Sequence, residues 1–112
     1  MRVSGRRDNV IISGGENIDL DRLEQLYESH PAIREAVAVG LDDRTWGARP
    51  HLAFLRDEDV DTNDLRAFGR QHLEDFEIPD SFTALETFPR NHTGKTDRAA
   101  VARRLRQRVT PS

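Results

Sequence analysis

What most constrains the fold is the punctuation of the apolar residues: they come in short runs of two different periods, closed by glycine, proline and aspartate. Val10-Ile11-Ile12 is a β-branched run ended by Ser13-Gly14-Gly15, the pattern of a strand entering a tight turn. With Val3-Ser4 ahead of it, the start of the chain predicts a small ribbon. From Asp19 to Ser29 the period changes, and Leu20, Leu23, Leu26 and Tyr27 share one helical face. His30-Pro31 ends that helix, because proline moves the residue before it out of the helical region.

The rest of the chain repeats the alternation. Ile33 to Leu41 reads as a strand with Ile33, Val37 and Val39 on one face, turned by Gly40-Leu41-Asp42-Asp43. Leu52 to Leu55 is a second strand, and Asp57-Glu58-Asp59 a solvated loop. Asp61 or Thr62 caps a helix that carries Leu65, Phe68 and Leu73 inward. Phe82 to Leu85 is a third strand. Thr96 or Asp97 caps the last helix, with Val101 and Leu105 one turn apart. The order hairpin, α, β, β, α, β, α predicts an α+β fold: an N-terminal β-hairpin and a three-stranded sheet flanked by helices. Residues 1–112 show neither repeat nor linker and read as one domain.

Composition narrows the function classes. The chain has no cysteine, so disulfides, thiolate chemistry and cysteine-based metal sites are excluded. No apolar stretch approaches the roughly 18 residues that span a bilayer, and Met1 to Asp8 lacks the apolar segment of a signal peptide. A cytoplasmic protein without a membrane partner is the expectation. Residues 97–112 hold five arginines against one aspartate. No aromatics interleave with them, so a solvated helix face is preferred over a nucleic-acid surface.

Sixteen of the seventeen basic residues are arginine, and the single lysine, Lys95, lies on the polar loop Pro89-Arg90-Asn91-His92-Thr93-Gly94-Lys95-Thr96-Asp97-Arg98. Lysine is a compact, mobile point charge, unlike the planar fork of arginine. Gly94-Lys95-Thr96 is not a phosphate loop, since that motif needs glycine where this chain has Pro89. The other polar segment is Gly5-Arg6-Arg7-Asp8-Asn9-Val10-Ile11-Ile12-Ser13-Gly14-Gly15-Glu16-Asn17-Ile18. Taken alone it is a charged turn, a strand and a paired-glycine turn.

Together the two segments resemble the C-terminal domain of adenylate-forming enzymes, the superfamily of acyl-CoA synthetases, nonribosomal-peptide adenylation domains and luciferases. The likeness runs from Val3 to about Leu105. It includes Asp-x-x-Trp-Gly at Asp43 to Gly47 and Phe-x-x-Pro at Phe76 to Pro79. Ile-Ile-Ser-Gly-Gly-Glu-Asn-Ile, with Trp46 to His51, is most similar to the 2-succinylbenzoate–CoA ligases of menaquinone synthesis.

The resemblance implies an activity in two steps. A carboxylate and ATP give an acyl-adenylate and pyrophosphate; the thiol of coenzyme A (CoA) then displaces AMP. It also implies a large N-terminal domain as partner, which supplies most of the ATP, CoA, Mg2+ and acyl-substrate contacts. The small domain rotates between the steps and does no chemistry alone.

Lys95 matches the lysine that bridges carboxylate and α-phosphate during adenylation. Asp8 matches the hinge, and Arg6 an arginine near the nucleotide. Gly14 and Gly15 match small residues along the pantetheine tunnel. Trp46 and Phe76 match the aromatic pair that holds the CoA adenine. Without the resemblance, Lys95 is a surface lysine, Asp8 a turn former, Arg6 half of a surface ion pair and Phe76 a core aromatic.

One stretch departs from the pattern. After Phe76 the aryl-CoA ligases carry basic residues facing the coenzyme's phosphates, where this chain has Glu77, Ile78, Pro79 and Asp80. Arg44, Arg49 or the basic C-terminal helix are the groups that would compensate. Two rival expectations stand beside the ligase domain. One is a free-standing small protein acting in trans on a truncated adenylation domain. The other is a nucleic-acid-binding module using the C-terminal arginines.

Overall fold

The computed structural model describes residues 9–109. Val10–Ser13 (β1) and Glu16–Asp19 (β2) form an antiparallel hairpin with Ser13 opposite Glu16. The turn between them is Gly14-Gly15, at φ of +58° and +88°, where side chains other than hydrogen are strained. The ribbon is therefore made with the segment after the glycines. The expected partner Val3-Ser4 lies outside the described residues.

Asp19 ends β2 and caps α1 (Leu20–Glu28), its carboxylate accepting the N–H groups of Asp21 and Arg22. Ile33–Asp43 (β3) and Gly47–Arg56 (β4) form a long antiparallel ladder, and Phe82–Ala84 (β5) adds parallel to β4. The sheet order is β3-β4-β5. Between β4 and β5 lie α2 (Thr62–Arg70), capped by Asp61, and a 3-10 turn at Asp75–Glu77. The last helix, α3, spans Arg98–Val109, and Asp97 accepts the Ala100 N–H at its start.

Each sheet face buries its own core. Ala36, Ala38, Leu52 and Phe54 pack with Ile18, Leu23, Tyr27 and Leu65 from the hairpin, α1 and α2. Val37, Val39, Leu41, Ala53 and Leu55 pack with Leu85, Phe88, Val101 and Leu105 on the α3 side. Ile33 joins the first core and not Val37 and Val39 in the second, contrary to the simple alternation. The cause is a register shift between Ile33 and Glu35, which reverses which face the side chains take.

Two further expectations are corrected. Gly40 does not turn the chain: β3 continues to Asp43, and the turn is Arg44 to Trp46. Gly40 is small because Ile11 of the hairpin packs where its Cβ would be, 2.5 Å from Ile11 Cγ2. Leu73 lies beyond the end of α2, although it is buried in the first core.

At the β3 edge of the sheet, side chains take up two backbone amides. The Ala36 and Ala38 N–H groups of β3 donate to carboxylates of Glu28 and Glu24, one helical turn apart on α1, at 3.0 and 2.9 Å. Burial pushes the Glu24 carboxyl above its usual range; the Ala38 N–H and Arg98, at 2.5 Å, pull it back only in part. Tyr27, wholly buried, donates to the Leu65 carbonyl at 3.3 Å, and burial pushes its phenol up to about 12. Among the described residues, no helix is long and apolar enough to cross a membrane.

Candidate functional site

The structure separates the candidate residues into two groups. Lys95 sits on a closed loop whose ends meet as a bridge between Arg90 and Thr96. Asn91 organises the loop: its N–H donates to the Lys95 carbonyl at 2.8 Å, and its Oδ1 accepts from the N–H groups of Thr93 and Lys95. Gly94, at φ +87°, makes the bend, leaving the Lys95 side chain exposed. The loop is tethered to β3 by Glu35, which accepts from Thr96 Oγ1 at 3.3 Å and from Arg90 Nη2 at 3.4 Å.

The second group lies at the far end of the same ladder. Asp43 closes the β3–β4 turn by accepting the N–H groups of Thr45 and Trp46 at 2.8 and 2.9 Å. The Trp46 carbonyl then accepts the Gly14 N–H at 2.8 Å, joining the hairpin turn to the sheet turn. A Cβ on Gly14 would run into indole atoms Cε3 and Cζ3, whereas one on Gly15 would meet nothing within 4 Å. Trp46 is 52% exposed and Ile12 61%, large apolar side chains in two adjoining segments.

Trp46 and Phe76 line one open cleft of about 380 Å³, together with Asp43, Arg49, Asp75 and Asp80. Phe76 is half-buried and also packs against the first core, so the two readings of this ring hold together. From Glu35 to Asp43 the strand rises about 27 Å. The Lys95 loop and the aromatic cleft thus occupy opposite ends of one rigid element.

The acidic stretch after Phe76 is largely neutralised. Glu77 is buried and turns to Arg22, 2.6 Å away, and to the Glu74 N–H. Asp80 pairs with Arg49 at 2.9 Å. The expectation that Arg49 faces phosphates is corrected by the same geometry. Arg49 is 9% exposed, and all five of its N–H donors are bonded within the domain. Arg44 remains exposed on the turn.

Next to Arg49, buried His51 has Nδ1 at 2.8 Å from Ser81 Oγ. Burial pushes its imidazole below the usual range against an upward pull from Asp80. Sequence reasoning gave His51 no role and offered Arg49 only as one of three alternative groups to face the phosphates. The available signal was an arginine beside a buried strand, where a charge requires partners. Arg6 and Asp8 lie outside the described residues.

A family model described as the AMP-binding enzyme C-terminal domain matches residues 22–95, a stretch that includes Trp46 and Phe76 and ends at Lys95. The 2-succinylbenzoate–CoA ligase of Bacillus licheniformis is 40% identical over 93 residues, covering 83% of this chain and 20% of that protein. The enzyme of the same name from Staphylococcus aureus is 41% identical over 98 residues, covering 88% and 20%. Among solved structures, o-succinylbenzoate CoA synthetase from Bacillus subtilis, in complex with the acyl-adenylate intermediate OSB-AMP, is similar at a TM-score of 0.80. It is 36% identical, and the match covers 86% of this chain and 20% of that one. The chain spans about a fifth of the length of the curated relatives it matches. The hairpin-led α+β body, its lysine loop and its matched stretch make the chain a member of the AMP-binding enzyme C-terminal domain family.

Proposed function

We propose that the chain is the mobile C-terminal domain of an ATP-dependent CoA ligase that activates 2-succinylbenzoate. In this reading it works with a large N-terminal adenylation domain, which binds most of the ATP and the acyl substrate. Magnesium is assigned to that domain as well.

The observation that carries the reading is the placement of Lys95 and the Trp46–Phe76 cleft at opposite ends of the β3–β4 ladder. A domain that serves two half-reactions by rotation needs two working ends. In the first, the Lys95 ammonium stabilises the charge that gathers on carboxylate and α-phosphate oxygens. Loss of such a preplaced cation costs about 10²–10³ in rate. In the second, the two aromatic rings hold the adenine of CoA, and stacking of this kind contributes roughly 1–3 kcal/mol per base. The pantetheine arm is assigned a path past the Gly14-Gly15 turn, where Gly14 lies against the Trp46 indole and Gly15 faces open space. Arg6 is assigned a position near the nucleotide and Asp8 the hinge.

The test uses the full-length ligase. Pyrophosphate release is followed with 2-succinylbenzoate and a panel of aryl and fatty acids, and thioester formation with supplied acyl-adenylate and CoA. Lys95→Ala is expected to abolish adenylation and spare thioester formation; Gly14→Leu is expected to do the reverse. Damage to the same half-reaction by both variants would refute the two-ended reading. Turnover on another acid alone would keep the mechanism and discard the substrate.

A further inference from the structure

Arg49 ties the hairpin strand beside Trp46 to the segment that carries Phe76. Its Nη1 donates to Ser13 Oγ at 3.0 Å and to the Phe76 carbonyl at 2.8 Å. Nη2 donates to the Ile78 carbonyl at 3.1 Å and to Asp80 Oδ1 at 2.9 Å, and Nε donates to the same oxygen at 3.0 Å. Ser13 is 1% exposed and directly precedes Gly14, whose N–H meets Trp46. Phe76 and the residues after it form the opposite wall. One guanidinium therefore spans from the wall carrying Trp46 to the wall carrying Phe76, while itself standing on β4 between them.

Only arginine suits this position. Its planar fork reaches five acceptor contacts in fixed directions, whereas a lysine ammonium offers three donors from a point. Because every donor is committed inside the domain, Arg49 has none left for a ligand.

We propose that Arg49 is a positioning residue: it sets the separation of Trp46 and Phe76, and through it the affinity for the nucleotide end of the thiol substrate. The proposal rests on the reading of the cleft as the adenine site of CoA.

The experiment uses Arg49→Lys and Ser13→Ala in the full-length ligase, with CoA and pantetheine as alternative thiols. Pantetheine carries the same thiol arm without the nucleotide. Arg49→Lys is expected to raise the KM for CoA about tenfold, within what a stacked base contributes, and to leave the KM for pantetheine and the rate of adenylation unchanged. A parallel loss with both thiols, a matching loss in adenylation, or an unchanged KM for CoA would overturn the proposal. If Arg49→Lys does not fold, Ser13→Ala decides. Removal of one hydrogen bond should raise the KM for CoA about threefold, and an unchanged KM would overturn the proposal. Equal use of CoA and pantetheine by the unmodified enzyme would instead refute the adenine-site reading.

Discussion

Gly14 donates its N–H to the Trp46 carbonyl at 2.8 Å and lies against the indole ring, so two turns distant in sequence share one packed surface. Gly14→Ala and Gly15→Ala both place a side chain at positive φ, at a cost of about 1–3 kcal/mol. Only Gly14→Ala also displaces the indole. It should lower Tm further than Gly15→Ala and shift the emission of Trp46, the single tryptophan. Fluorescence-detected melting of the two variants checks this, and equal emission changes would contradict the packing.

Glu35 anchors the Lys95 loop from the other end of the ladder. Its contacts are partly exposed, so Glu35→Ala should cost less than about 1 kcal/mol of stability. A misplaced reacting group, however, can cost about 10²-fold in rate for 1 Å. The expected outcome in the full-length ligase is slower pyrophosphate release, by about tenfold, with Tm nearly constant.

His51 gives the stability a pH dependence of known sign. Its imidazole pKa is lowered by burial, so the unfolded chain takes up a proton that the folded domain refuses. Its contribution is complete above about pH 6.5, the ordinary imidazole value, and is lost as the pH falls below it. Glu24 acts in the opposite direction, since a raised carboxyl pKa makes stability fall as pH rises above the ordinary carboxyl value of 4.5. Thermal melts from pH 7.5 to 5 should show a lower Tm on acidification. His51→Gln should flatten that slope and Glu24→Gln should steepen it.

Gly69 on α2 reverses the usual rule for a helical glycine. Alanine there would ordinarily stabilise by up to about 1 kcal/mol. Here its Cβ would press on the Tyr27 hydroxyl and sit 3.2 Å from Ile78 Cδ1. Gly69→Ala should destabilise by about 1–3 kcal/mol. Adding Tyr27→Phe removes the obstructing oxygen and should recover part of the loss, a coupling that a double-mutant cycle of denaturation midpoints measures.

Much of the fold was legible because its signals are local. Asp19, Asp61 and Asp97 cap helices by bonding to N–H groups a few residues away, and the periods around them need no tertiary information. Features decided between elements were not legible. The bulge before Glu35 moves Ile33 to the other face. Gly40 looked like a turn because nothing in its neighbourhood reveals that Ile11, far earlier in the chain, needs the space. The β4 strand was read short because Arg49 and His51 interrupt its apolar run; both are buried through partners on other segments. At the site, motif spacing indicated Lys95, Trp46 and Phe76 through resemblance. The tether at Glu35 and the bracket at Arg49 are contacts across the fold, carried by no motif.

The carboxylates of Glu24 and Glu28 along β3 also bear on how the molecule behaves among its neighbours. An open sheet edge is a template on which a foreign strand can continue the ladder. Here the Ala36 and Ala38 amides already have side-chain acceptors, and an incoming backbone carbonyl would have to displace one and then sit beside it. The arrangement repels recruitment into larger β assemblies and adds no strand of its own, so the side of the sheet nearest α1 is kept unsociable by two glutamates.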